Sequence, residues 1–170
     1  ISKSEYTYIS DLIKTKDFKK KIVIFDISSK RKIILVAFKS TLTSIDAENL
    51  GAKFYDTFRE SNQNKFILNS DTAPSKLKIF VGYFLHGMRL KSYKFDKYKT
   101  KKTKINFSVD VIGKNITSKE DQIKFNSVEK GTFYTRDLVS EPGNVLHPDE
   151  YAKRINTLKK YGLKITVYDE

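Results

Sequence analysis

Short apolar runs alternate with helical patterns along this chain, and that order limits the folds open to it. Residues 22–25 and 33–38 are unbroken runs rich in Ile and Val, which suit strands covered on both faces. Residues 66–68 predict a further short strand, and residues 105–111 alternate apolar and polar residues as a half-buried strand does. We therefore expect an α/β fold, with a mixed sheet that carries helices on both faces.

The helical patterns between these runs differ in strength. Residues 6–13 predict a short amphipathic helix. Thr43 and Asp46 resemble a capping box, and apolar residues follow them at helical spacing, namely Ala47, Leu50, Phe54 and Phe58. Residues 75–93 predict a helix that is apolar on two faces. Such a helix is expected to lie between a sheet and another layer.

Residues 131–152 predict the end of one long helix, a bend and the start of a second helix. Pro142 ends the first helix near Glu141, because the residue before a proline is pushed out of the helical region. Pro148 fits the first turn of the next helix, and Gly162 ends it.

The long helix after Ser118 has few large residues on any one face. Its aromatic residues, Phe125, Phe133 and Tyr134, are expected to point in different directions, as in a connector between two packed units. We therefore predict an N-terminal α/β domain at 1–116, a linker helix at 117–143 and the truncated beginning of a second domain at 144–170. Residues 163–167 alternate as a strand, and the chain begins without Met, so we expect a piece of something longer.

The composition excludes some classes of function and leaves others open. A net charge of +13 attracts polyanions, but the lysines are spread over nearly every segment, which is also typical of a solvated surface. The chain has no cysteine, which excludes disulfides, thiolate metal sites and thiol nucleophiles. No apolar run approaches the roughly 18 residues of a membrane helix. A cytoplasmic location without membrane contact is the simplest expectation.

Candidate catalytic and metal-binding residues are few. A metal site needs converging ligands, yet the chain has only His86 and His147, in different predicted units. His86 lies among apolar residues of the predicted helix at 75–93, so we expect a packed, hydrogen-bonded histidine. His147 precedes Pro148, so we expect it at a helix cap. Nucleophile-elbow and phosphate-loop motifs are absent from the sequence, so no catalytic or metal residue is predicted.

One lysine-rich stretch, residues 91–104, has two interpretations. Lysines with interspersed aromatic residues can contact phosphates and stack on bases, which makes this a candidate nucleic-acid-binding module. The candidate contact residues are Lys97, Lys99, Lys101 and Lys102. The alternative, which we favour, is that Tyr93, Phe95 and Tyr98 anchor a helix end to the core while the lysines are solvated.

Two segments resemble the leucyl (cytosol) aminopeptidase family. Residues 136–148, RDLVSEPGNVLHP, followed by Tyr151 and Ala152, are similar to that family's RDLxNxPxNxxTPxxxA, where its N-terminal domain passes through a linker helix into its catalytic domain. Residues 93–102, YKFDKYKTKK, are similar to a lysine-rich family motif that follows a long helix. Ser140, Gly143 and His147 depart from the usual Asn, small residue and Thr.

The resemblance implies that the parent protein is a metalloexopeptidase that removes N-terminal amino acids from peptides. It also implies a macro-domain-like N-terminal domain, a homo-hexamer and two divalent ions, zinc or manganese, in each subunit. The family's metal ligands lie in motifs resembling DTGG and NTDAEGR, and neither occurs in these 170 residues. We therefore expect the chain itself to be inactive. Some members of the family bind DNA, which keeps nucleic-acid binding as the alternative function.

Overall fold

The computed structural model describes residues 1–15, 21–39, 41–74, 77, 79–102 and 105–168. Helices α1 to α5 span Lys3–Thr15, Ser44–Phe58, Phe80–Ser92, Lys119–Ser140 and Pro148–Asn156. Strands β1 to β4 span Ile22–Ser28, Arg31–Val36, Lys65–Asn69 and Ser108–Ile112. Short 3-10 helices occupy Ser70–Thr72 and Thr157–Tyr161. Helices and strands are interleaved as predicted, and the α/β class is confirmed.

Strands β1 and β2 form an antiparallel hairpin in which Ile22 is opposite Val36 and Phe25 is opposite Ile33. Both strands were expected, but the prediction that they are covered on both faces is wrong. Ile24 is exposed, and β2 contains no buried residue. The two strands of an antiparallel hairpin can form their backbone hydrogen bonds with each other while one face of the hairpin stays in water. A central parallel strand, by contrast, is buried on both faces.

Strands β3 and β4 pair in parallel, with Phe66 beside Val109 and Leu68 beside Val111. The strands of the described residues thus form two separate pairs rather than one mixed sheet. Phe66 and Leu68 pack on the core, while Ile67, between them, is 72% exposed. Helices therefore cover one face of this pair and not both.

Helices α2 and α3 cross with their backbones almost in contact. A Cβ atom at Gly51 would overlap the carbonyl oxygen of Phe84, and one at Gly87 would overlap that of Glu48. The absence of a side chain at both positions allows this approach. The predicted capping box of α2 is confirmed, with Asp46 N donating to Thr43 Oγ1 at 3.2 Å and Thr43 N to Asp46 Oδ2 at 3.0 Å.

Aromatic rings fill the core between this helix pair and the β3–β4 strands. Phe54 lies 5.1 Å from Phe66, 5.6 Å from Phe84 and 6.3 Å from Phe107, measured between ring centroids. The predicted apolar stripe of α2, Ala47, Leu50, Phe54 and Phe58, is entirely buried. Edge-to-face contacts of this kind add stability beyond the area they bury.

Helix α3 is apolar on two sides, as expected, and packs against α2 on one side and α4 on the other. Phe80, Val81, Phe84 and Met88 are buried. The helix begins at Phe80 rather than at the predicted residue 75, and positions 75, 76 and 78 of that prediction lie outside the described residues.

The long helix α4 begins after Ser118, whose hydroxyl accepts from Asp121 N, and ends before Glu141 as predicted. It is more than a connector, because one side packs along α3. The Phe125 ring lies 5.1 Å from the rings of Tyr83 and His86, and Phe133 lies 5.2 Å from Tyr93. The prediction that these two phenylalanines diverge is wrong, since their spacing of two helical turns places them on one side.

The segment after α4 is only partly as expected. His147 occupies the N-cap position of α5, but its side chain makes no capping hydrogen bond. Gly162 ends the following 3-10 helix with a φ of 85°, in the left-handed region that favours glycine. The strand predicted at 163–167 is wrong, because residues 163–168 pair with no strand among the described residues, and Leu163 and Val167 are exposed.

Candidate functional site

The structure brings together parts of the two segments that carry the family resemblance, residues 93–98 of 93–102 and residues 136–141 of 136–148. The Tyr93 hydroxyl donates to Asp137 Oδ1 at 2.8 Å. Arg136 places its guanidinium 5.5 Å from the centroid of the Tyr93 ring and donates from Nη1 to the Leu90 carbonyl at 2.7 Å. The loop after α3 is thereby fastened to the last turns of α4.

Glu141 lies at the centre of this contact, which we call the Glu141 junction (Tyr93, Lys97, Tyr98, Asp137, Glu141 and Arg154). Its Oε1 atom accepts from Lys97 Nζ at 2.6 Å and from Arg154 Nη1 at 2.9 Å. Its Oε2 atom accepts from the Tyr98 hydroxyl. The Glu141 side chain is only 2% exposed, so these three donors replace nearly all of its contact with water.

The hydrogen bonds at the junction shift the pKa values of its ionisable groups. Hydrogen bonds from Lys97, Tyr98 and Arg154 lower the pKa of Glu141 from its ordinary value of 4.5 to about 2. The same bond to Glu141 raises the pKa of Lys97 and that of Tyr98. Hydrogen bonds to Glu150 and then to Glu141 raise the pKa of Arg154. The carboxylate is therefore ionised at any physiological pH.

Arg154 extends the junction into α5. Its Nε atom donates to Glu150 Oε1 at 2.8 Å, and its carbonyl accepts from the Tyr134 hydroxyl at 2.9 Å. Three segments are thus held at one point: the loop after α3, the end of α4 and the last turn of α5. Chemically the junction presents no free nucleophile or base, and what it does is fix the bend between α4 and α5.

The predicted nucleic-acid contact residues differ in their contacts. All four lysines are exposed, but Lys97 also forms an ion pair with Glu141. Tyr93 and Tyr98 hold the loop to the end of α4 by hydrogen bonds to Asp137 and Glu141, but Tyr98 is 51% exposed, so the alternative that Tyr93, Phe95 and Tyr98 anchor a helix end to the core stays a prediction. Nucleic-acid contact by Lys97, Lys99, Lys101 and Lys102 stays a prediction.

The two histidines lie apart, in different surroundings. His86 is 6% exposed, and its Nδ1 atom lies 3.0 Å from Glu48 Oε1, which confirms a packed, hydrogen-bonded histidine. His147 is exposed at the start of α5. Across the described ranges, no group of three or more His, Asp or Glu residues converges as metal ligands do.

Sequence reasoning missed Glu141 and Arg154 as partners. The four-residue spacing of Glu150 and Arg154 is the feature that marks one local ion pair. The contact of Lys97 with Glu141 joins residues 44 positions apart, and no local pattern encodes it.

No known family model matches this sequence. A probable cytosol aminopeptidase of Nitrobacter winogradskyi is 32% identical over 146 residues, which cover 81% of this chain and 29% of that protein. A probable cytosol aminopeptidase of Rhodopseudomonas palustris is 40% identical over 89 residues, covering 49% of this chain and 18% of that protein. The chain belongs to the cytosol aminopeptidase family. It fits the N-terminal domain of that family.

Solved structures of low sequence identity have the same fold. A mutant tomato leucine aminopeptidase matches with a TM-score of 0.71 and 21% identity, covering 94% of this chain and 34% of its own. The bottromycin maturation enzyme BotP in complex with Mn matches with a TM-score of 0.65 and 18% identity, covering 88% and 32%. This cytosol aminopeptidase chain thus spans about a third of the length of the enzymes it resembles.

A helix that spans a membrane needs about 20 consecutive, predominantly apolar residues. Over the part of the chain that the structure describes, no helix combines the length and the apolar character needed to cross a bilayer.

Proposed function

We propose that this chain is the non-catalytic N-terminal part of a leucyl aminopeptidase that removes N-terminal amino acids from peptides. The observation that carries the proposal is the 32% identity to a probable cytosol aminopeptidase over 146 residues. The Glu141 junction supports it, because the two segments of family resemblance contact each other there.

The family resemblance implies two divalent ions, zinc or manganese, in the parent enzyme. The described residues of this chain do not fit such a pair of ions. His86 is buried against Glu48, His147 is exposed, and the carboxylates of Glu141 and Glu150 are already bonded to Arg154. We place the metal site, and with it the catalytic steps, on residues of the parent enzyme outside this chain.

The role that we propose for this part of the enzyme is structural. Residues 1–116 would form the N-terminal domain, residues 117–143 the linker helix and residues 144–170 the start of the catalytic domain. The Glu141 junction would then set the direction in which the chain enters the catalytic domain, because it fixes α5 against the end of α4. A homo-hexamer and a cytoplasmic location belong to the same proposal.

Hydrolysis of a leucine anilide tests this function. We expect the complete gene product to hydrolyse it after addition of manganese or zinc, and to lose that activity when a chelator removes the metal. The 170-residue chain, assayed in parallel at the same concentration, should be inactive with either metal. A complete gene product that stays inactive with both metals would overturn the proposal, as would hydrolysis by the 170-residue chain alone.

A further inference from the structure

Strand β4 has one edge without a neighbouring strand. It pairs in parallel with β3, and no other strand of the described residues pairs with it. A cavity of about 730 Å³ is lined by Val109 and Val111 of β4, while none of its described lining residues belongs to β3. The cavity is therefore on the side of β4 away from β3. A free strand edge beside a cavity is a surface to which an extended peptide segment can add as a further strand.

The backbone hydrogen bonds of β4 identify which of its groups are free. Ser108 N donates to the Asn64 carbonyl at 2.8 Å, so this N–H points towards β3. In a parallel pair alternate residues direct their backbone groups to the same side, so Val109 and Val111 face away from β3. Among the described residues, no other backbone group bonds to these two valines. Their N–H and C=O groups are therefore available to an added strand.

The cavity has room for alternate side chains of such a strand. Besides the two valines of β4, its apolar walls include Leu85 of α3, Ile116 and Phe125 of α4. Arg89 also lines the cavity, but it donates to the Glu129 carboxylate at 2.9 Å, which offsets its charge. Side chains of a strand alternate between its two faces. Every second side chain of the added segment would therefore enter apolar surroundings.

Two charged residues of the chain define the charges that the segment should carry. Asp110 lies between Val109 and Val111, so its side chain is on the face of β4 opposite to theirs, where it is exposed. Lys94 lines the cavity and is also exposed. In the described part of the chain neither residue has an ion-pair partner. A basic residue beside Asp110 would form a favourable cross-strand pair, and an acidic residue can bond to Lys94.

A second copy of this chain is the less suitable occupant. If two β4 strands paired over their whole length around a twofold axis, Asp110 would lie directly opposite the same carboxylate of the second copy. Like charges directly opposite each other in a sheet are destabilising. The net charge of +13 on each copy adds further repulsion. The charges therefore favour a peptide segment of different sequence.

We propose that the free edge of β4 binds an extended segment of a partner protein. The segment bonds to the backbone of Val109 and Val111, inserts apolar side chains at alternate positions into the cavity and places a basic residue beside Asp110. The site does not involve the Glu141 junction and does not depend on the proposed peptidase function.

Amide hydrogen exchange, followed by NMR on the 170-residue chain, tests the proposal. The probe is the peptide acetyl-Glu-Val-Lys-Val-Thr-Val-amide, which has no net charge, so general attraction to the basic chain is small. In the free chain the amides of Val109 and Val111 should exchange faster than those of Asp110 and Ile112, which bond to β3. The probe at about ten times its Kd should slow exchange at the two valines about tenfold. The scrambled peptide acetyl-Val-Val-Val-Thr-Lys-Glu-amide should not.

N-methylated peptides distinguish backbone pairing from general apolar binding. In one version of the probe the three valine amides are methylated, and in a second version the amides of its other three residues. Alternate amides of a strand face opposite sides, so only one of the two sets faces β4. We expect one version to lose binding and the other to retain it. Equal affinities of the two versions would overturn the proposal.

A substitution in the chain tests the charge of the segment. Asp110→Asn should weaken binding of the probe about twofold to fivefold and leave unchanged the affinity for a probe with Thr in place of its Lys. Asp149→Asn, at an exposed position in α5, should change neither. Equal effects of the two substitutions on the probe would overturn the proposal, as would no saturable protection of Val109 and Val111.

The same amides show whether the protein itself covers the edge. Slow exchange of Val109 and Val111 without any peptide, in the 170-residue chain or in the complete gene product, would mean that another part of the protein or a second copy already pairs with β4. That result would also overturn the proposal. Fast exchange in both proteins is the expected result.

Discussion

At the residue scale, the Glu141 carboxylate joins three segments of the chain through Lys97, Tyr98 and Arg154. Its pKa in the folded protein is about 2, below the ordinary value of 4.5. A depressed pKa contributes stability that is present above pH 4.5 and is lost as the pH falls from 4.5 towards 2. We expect Glu141→Gln to be less stable than the wild type at pH 7 and to lose less stability over that interval.

Urea unfolding at a series of pH values between 2 and 7 measures this difference. Glu60→Gln is the matched control, because Glu60 is an exposed carboxylate next to Arg59. Its stability should fall with pH as steeply as that of the wild type. If Glu141→Gln retains the full acid dependence of the wild type, the Glu141 junction is not the source of it.

Thr43 is a second residue with a well-defined local role. Its hydroxyl accepts from Asp46 N at the start of α2, so Thr43→Ala leaves that N–H without its cap. We expect a loss of about 1 kcal/mol in the free energy of unfolding. Thr57→Ala in the same helix removes only a bond to the carbonyl one turn earlier and should change stability by less than about 0.5 kcal/mol. Thermal or urea unfolding of the pair distinguishes capping from a general effect of losing threonine.

At the scale of helices and strands, the α2–α3 crossing depends on two glycines. A methyl group at Gly51 or Gly87 would overlap backbone carbonyls that a side-chain rotation cannot move. We expect Gly51→Ala and Gly87→Ala each to cost about 3 kcal/mol or more, because the two helices would have to separate. Urea unfolding at pH 7 measures the loss.

Gly131 provides the control for these two substitutions. It lies within α4, and the space that a methyl group would occupy there has no other atom within 4 Å. Gly131→Ala should therefore stabilise the protein by up to about 1 kcal/mol through helix propensity. If Gly51→Ala and Gly87→Ala were as stable as Gly131→Ala, the close approach of the helices would be wrong.

The packed side of helix α4 could not be recognised from the pattern of residue types alone. Its packed side carries Phe125, Glu129 and Phe133 at four-residue spacing, and the carboxylate interrupts the apolar stripe. Glu129 is buried, and Arg89 of α3 donates a hydrogen bond to its carboxylate at 2.9 Å. A charged residue with a partner 40 positions away is read as solvent-facing from sequence, so this side of the helix was missed.

At the scale of the whole molecule, the net charge of +13 is expected to attract polyanions such as DNA. If the lysine-rich loop binds DNA, replacing Lys99, Lys101 and Lys102 by Gln should lower the slope of log affinity against log salt by about 3, close to one per lost phosphate contact. Lys97 is left unchanged because it holds Glu141. Fluorescence anisotropy with a labelled duplex at several salt concentrations measures the slope.

The control for this experiment removes the same charge elsewhere. Replacing the exposed Lys14, Lys30 and Lys164 by Gln should leave the slope nearly unchanged if the loop is the binding site. Equal effects of the two triple variants would show that binding follows net charge alone. No binding even at low salt would contradict the nucleic-acid prediction altogether.

Local sequence patterns predicted the structure correctly wherever it depends on residues close together in the sequence. The α2 capping box, the stop of α4 before Pro142 and the apolar stripe of α2 were all readable, because each depends on residues within a few positions of one another. The same holds for the family resemblance of residues 93–102 and 136–148. Residues 163–167 show the limit, since an alternating pattern does not make a strand without a neighbour to pair with.

The sequence by itself determined the α/β class, most of the helices and strands, and the family. Only the tertiary structure decided that the strands of the described residues form two separate pairs, that α4 packs along α3 and that Glu141 joins three segments. The physical reason is the separation in sequence between the groups that interact. Backbone dihedrals and helix caps depend on adjacent residues, whereas ion pairs, strand partners and cavities depend on groups that only folding brings together.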